Sequence, residues 1–137
     1  MSEAARQRNS ETGKSVVQTF RDLIAWQRAM ELAEAVYAAT SKMPPDERFG
    51  LTSQLRRAAV SVPSNIAEGH ARRSRQDYLR FLRMARGSVA EVSTQLELAF
   101  RLRLISPDQQ LSDLVGEVAR ILQALIRALE AKEEQNS

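Results

Sequence analysis

Ten arginines fall between residues 56 and 103, with no lysine among them and only Glu68, Asp77, Glu91 and Glu97 as acids. That segment therefore carries +6, whereas residues 1–15 sum to +1, 16–55 to −1 and 104–137 to −3, so the basic excess of a +3 chain sits in its middle. Guanidinium groups are planar, permanently charged forks that match carboxylates and phosphates. A surface of them holds a phosphate backbone through counterion release, with strong salt dependence and little sequence preference. The candidate contacts to RNA, or to nucleic acid generally, are Arg56, Arg57, Arg72, Arg73, Arg75, Arg80 and Arg83. Two other readings compete: a solvated, salt-bridged helix face, the common fate of a charge run, and a docking surface for an acidic protein. The small number of neighbouring acids speaks against the first.

Residues 54–69 read QLRRAAVSVPSNIAEG, where Ala58, Ala59, Ser61, Ser64, Ala67 and Gly69 would let another backbone approach closely. A polar stripe at helical spacing runs through Gln54, Arg57, Ser61, Asn65, Glu68 and Arg72. Glu68, His70 and a serine are the raw materials of acid–base or nucleophilic chemistry, but a catalytic base needs a third group to orient it and none is spelled out. The expectation is a protein without enzymatic activity. Hydrolysis that disappears in Glu68→Gln would reverse it. His70 is the single histidine and cysteine is absent, so no metal-ligand spacing occurs and neither metal nor cofactor is expected. Gly87-Ser88 lacks the glycine run and lysine of a phosphate loop and reads as a close helix crossing.

The lack of cysteine also excludes disulfides and thiolate chemistry and points to the cytoplasm. No stretch approaches the roughly 18 apolar residues of a membrane span, and the opening 19 residues look like a polar tail without a targeting run.

Helical periodicity dominates, and prolines and glycines fall mostly between periodic segments. One domain with four helices is expected: a bundle over 20–132, with flexible ends at 1–19 and 133–137. The first helix spans about 20–42, opened by a Thr19/Asp22 capping box. Its stripe is Trp26, Met30, Ala33 and Tyr37, while Phe20 and Ile24 form a second apolar face suited either to the bundle end or to a subunit contact. The second begins after Gly50 and continues to about Ile66 or Glu68, with a kink around Val60 to Asn65 caused by Pro63, and Gly69 is placed as its left-handed terminator. The third runs from Ser74, a capping-box start, to about residue 104, presenting Tyr78, Leu82, Ala85, Val89, Val92, Leu96 and Ala99. The fourth starts with Ser106 as N-cap, Pro107 at the first position and Gln109 reaching back, then presents Leu111, Val115, Val118, Leu122, Leu125 and Leu129. Four long helices with short connections make an antiparallel up-down bundle. The small-residue strip and the second apolar face predict a homo-oligomer.

The segments WQRAMELAEAVY, FGLTSQLRRAAVSVPSNIAEGHARRS and YLRFLRMARGSVAEVSTQLELA resemble the four-helix-bundle proteins encoded in 23S rRNA intervening sequences, over about residues 20–129. Accessory variability proteins of diversity-generating retroelements look like the same family. The resemblance implies an up-down bundle assembled as a homopentamer, with a basic surface and no known enzymatic activity. For the retroelement branch it implies binding to a reverse transcriptase and structured RNA. The matching motif positions are Gln54, Arg56, Arg57, Ser61, Asn65, Glu68, Gly69, Arg73, Gly87, Ser88 and Glu91, none with a catalytic role in the family.

Overall fold

The computed structural model describes residues 17–136, so most of the expected N-terminal tail and the last residue lie outside the described part. Four helices make up the fold: α1 (Ile24–Thr40), α2 (Leu51–His70), α3 (Arg75–Arg101) and α4 (Gln109–Asn136), with 3-10 turns at Phe20–Asp22 and Pro45–Glu47. Each helix packs on two others, in the order α1, α2, α3, α4 and back to α1, and among the described residues no diagonal pair comes together. That ring encloses one core, in which Leu32, Leu55, Ile66, Leu82, Leu122 and Ile126 are fully buried. Burying each such side chain contributes about 1.5–3 kcal/mol.

The Thr19/Asp22 capping box forms, but it closes a single 3-10 turn and not the first α-helix. Asp22 accepts from the Gln18 and Thr19 amides at 3.0 and 3.2 Å, and those bonds hold its carboxyl below its ordinary pKa. Leu23 is then extended (φ −76°, ψ 127°) and α1 starts afresh at Ile24. The break turns Phe20 back over Trp26, ring centroids 5.2 Å apart in an edge contact, and leaves Ile24 63% exposed. The α1 stripe is also rotated from expectation. Ala25, Ala29, Leu32, Ala33 and Val36 are buried, whereas Met30 and Tyr37 are exposed.

Gly69 does not terminate α2. The helix runs unbroken through Pro63 to His70, with Gly69 in helical conformation and buried. A Cβ at Gly69 would lie 2.7 Å from the Phe81 Cβ and 3.1 Å from the Tyr78 ring, so the missing side chain is what lets α2 and α3 cross. Gly87 is the reverse: nothing lies within 4 Å of its would-be Cβ, and the expected close crossing there belongs to its neighbour. Ser88 is buried and accepts from the Ser61 hydroxyl at 2.6 Å, joining α3 to α2.

Ser74 caps α3, accepting from the Asp77 amide at 3.0 Å, while the Asp77 carboxylate turns outward to Arg80. Of the seam expected on α3, all but Tyr78 is buried and Tyr78 is half-buried. The helix ends at Arg101, with Arg103 in the left-handed region at φ 59°. There Leu104 N–H bonds the Ala99 carbonyl and Arg103 N–H that of Phe100, the paired bonds of a Schellman end. The start of α4 differs from expectation. Asp108, not Ser106, is the cap, its carboxylate accepting from the Leu111 amide at 3.1 Å, and Gln109 bonds forward to Asp113. Further along, Ile126 is buried and Leu125 and Leu129 only half-buried.

Candidate nucleic-acid interface

The seven candidate arginines fall into three groups. Arg56 and Arg57 lie near the start of α2, Arg72 and Arg73 beyond its end, a helix distance of about 20 Å away. Arg75, Arg80 and Arg83 lie on the first turns of α3.

Arg56 is committed to the fold. Its Nε donates to Thr40 Oγ1 at 2.8 Å, its Nη2 reaches the Tyr37 carbonyl at 3.4 Å, and its guanidinium lies 4.4 Å from the Tyr37 ring centre. The Tyr37 carbonyl already accepts from the Ser41 amide at 3.1 Å, so what Arg56 adds at the last turn of α1 is a positive charge that complements the helix dipole there. Thr40 is buried and itself donates to the Val36 carbonyl at 2.7 Å, so Arg56 ties two helices together.

Arg72 and Arg80 converge on Phe81, with guanidinium carbons 4.8 and 4.6 Å from its ring centre. Each also meets an acid one turn away on its own segment: Arg72 to Glu68 at 2.8 Å and Arg80 to Asp77 at 3.5 Å. Arg83 reaches across to Glu130 of α4 at 2.9 Å, and Arg86 donates to Gln123 at 2.8 Å. The composition of 56–103 suggests few available acids, yet three of its four acids pair within it and a fourth partner comes from α4. Exposed pairs of this kind contribute at most about 1 kcal/mol, so a phosphate can displace the carboxylate.

Arg57 and Arg73 are exposed and Arg75 half-exposed, and among the described residues none of the three makes an ion pair. The remaining motif residues mainly build the α2–α3 contact. Ser61 meets Ser88 and Gly69 admits Phe81, whereas Asn65 donates within α2 to the Ser61 carbonyl at 2.8 Å and Gln54 and Glu91 stay exposed. His70 packs edge-on to Tyr78 at 5.8 Å. The Tyr78 hydroxyl is buried without a hydrogen-bond partner, and burial pushes its pKa up. Among the described residues no cluster of His, Asp or Glu is placed as metal ligands, and no helix is long and apolar enough to cross a membrane.

One basic cluster was missed in the sequence. Beside Arg56 and Arg57, the Pro45–Glu47 turn delivers Arg48 and Phe49 to a cleft of about 500 Å³ that Tyr37, Thr52 and Val60 also line. Its signal was an aromatic next to an arginine in a loop after Pro44-Pro45.

A family model described as 23S rRNA-intervening sequence protein matches residues 21–126. Among solved structures, a protein of unknown function from the S23 ribosomal protein family of Bacteroides thetaiotaomicron is similar in fold, with a TM-score of 0.70 at 22% identity, covering 76% of this chain and 96% of that one. No curated protein matches.

Proposed function

This chain belongs to the 23S rRNA-intervening sequence protein family, and from that premise we propose that it is a non-enzymatic, cytoplasmic RNA-binding protein whose arginines grip the phosphate backbone. The observation carrying this reading is the set of guanidinium groups at Arg57, Arg73 and Arg75, presented to solvent with no acid among the described residues to neutralise them. Arg72, Arg80 and Arg83 extend the surface by exchanging weak carboxylate partners for phosphates. Arg56 contributes by positioning its neighbour Arg57.

In this reading the helices run up-down and antiparallel, and copies assemble as a homo-oligomer, by family resemblance a pentamer. A light-scattering mass near the 15.4 kDa of one chain would refute the assembly. The partner enzyme suggested by the retroelement resemblance, a reverse transcriptase, would meet the same oligomer.

Filter binding to two unrelated RNAs at two salt concentrations tests the proposal. Arg57→Gln and Arg73→Gln should each weaken both RNAs equally and flatten the salt slope by about one unit. Glu130→Gln, which releases Arg83, should strengthen binding. Affinity that is absent or insensitive to salt overturns the proposal.

The carboxylates already held by Arg72, Arg80 and Arg83 favour a second reading, an adaptor whose basic face docks an acidic protein. A partner retained in a pull-down after nuclease treatment supports it over RNA binding.

A further inference from the structure

Phe49 is 89% exposed, the most exposed large hydrophobic side chain among the described residues. With Arg48, whose guanidinium carbon is 5.3 Å from its ring centre, it lines the cleft that Tyr37, Arg56, Arg57 and Val60 also border. No acidic side chain lines that cleft. The nearest acid in sequence, Glu47, is turned to the start of α2, where its Oε2 accepts from the Leu51 amide at 3.1 Å. Three guanidinium groups and an exposed aromatic ring thus line one shallow, open cleft with no acidic side chain in its lining.

We propose that this cleft takes an unpaired RNA base, stacked on Phe49, with the adjoining phosphates on Arg48 and Arg57. The inference rests on the RNA-binding reading above and names the part of the RNA that is held. An aromatic face beside a cationic groove is the arrangement by which proteins hold single strands, since every base has a π-face to stack and every nucleotide a phosphate to pair. A duplex keeps its bases stacked on one another and has none to offer to a single ring. Arg56 is the positioning element: anchored to Thr40 and lying over Tyr37, it ties the part of the cleft lining that α2 supplies to α1. An acidic protein would find the cations but no use for the exposed ring beside them.

The test uses the full-length protein with a single-stranded RNA carrying 2-aminopurine and with the matched duplex. Phe49→Ala should weaken single-strand binding about tenfold, abolish the fluorescence change of the stacked analogue, and leave duplex binding unaltered. Phe49→Trp should preserve all three. Because the ring is almost fully exposed, both variants should melt with the wild type. Equal effects on strand and duplex, no effect of Phe49→Ala, or a drop in oligomer mass with RNA binding intact would overturn the proposal, the last assigning Phe49 to a contact between copies. Wild-type binding that depends on salt but not on Phe49 defeats the stacking site alone, whereas a wild type that binds neither RNA defeats the RNA reading and this inference with it.

Discussion

Gly69→Ala and Gly87→Ala should change stability in opposite directions, although both glycines lie inside helices of similar length. At Gly69 the added methyl would stand 2.7 Å from the Phe81 Cβ, 3.1 Å from the Tyr78 ring and 3.3 Å from the Tyr78 carbonyl oxygen. Carbon atoms are comfortable at about 3.5–4.0 Å, so α2 and α3 must part locally by about 1 Å. The obstacle is a Cβ fixed to backbone, which no rotamer change can move aside. Overpacking of this kind costs about 1–3 kcal/mol, against which alanine recovers up to about 1 kcal/mol of helix propensity. A net loss of about 1–2 kcal/mol follows, or about 3–7 °C in Tm for a domain of this size. At Gly87 nothing meets the methyl, so the propensity gain stands alone and Tm should rise by about 2–4 °C. Thermal unfolding followed by circular dichroism at one protein concentration reads both. A Gly69→Ala variant as stable as the wild type would show that the α2–α3 crossing is not set by this glycine. A destabilised Gly87→Ala would show that the α3 surface there is covered.

Tyr78 should respond to pH in the alkaline range. Burial raises its folded pKa above the unfolded value of about 10, so above pH 10 the unfolded chain loses the phenolic proton first and stability falls until the folded pKa is passed. Tyr78→Phe should remove that slope at no cost near neutrality, because the hydroxyl it deletes has no partner; a clear loss of stability at pH 7 would contradict this. Arg103→Gly should raise stability by about 1 kcal/mol in urea unfolding, since a side chain at φ 59° is less comfortable there than glycine. An unchanged or lower midpoint would mean that the Arg103 side chain makes up the difference.

Local chemistry was legible where it depended on neighbours in the chain. Thr19 with Asp22, and Ser74 with the Asp77 amide, form caps as their spacing indicates. The seam of α3 from Leu82 to Ala99 is buried because a three-and-four spacing puts those residues on one side of any α-helix. The same reasoning slipped when two solutions were locally equivalent. Ser106 and Asp108 are both good caps, and Asp108 prevailed. Trp26, Met30 and Tyr37 share a stripe as apolar as Ala25, Ala29 and Leu32, yet the helix turned the smaller residues inward.

By itself the sequence determined that the chain is helical, where its helices fall and that its positive charge is concentrated between residues 56 and 103, because propensity, capping and charge act over a few residues. The tertiary structure alone decided what those charges meet. Arg56 became a tie between helices, Arg83 found Glu130 forty-seven positions away, and Arg57 was set beside Phe49 over an open cleft. Gly69 likewise gained its meaning only from Phe81 on the facing helix. Which cations are left for a partner is a property of helix packing, and packing joins residues whose separation along the chain carries no local signal.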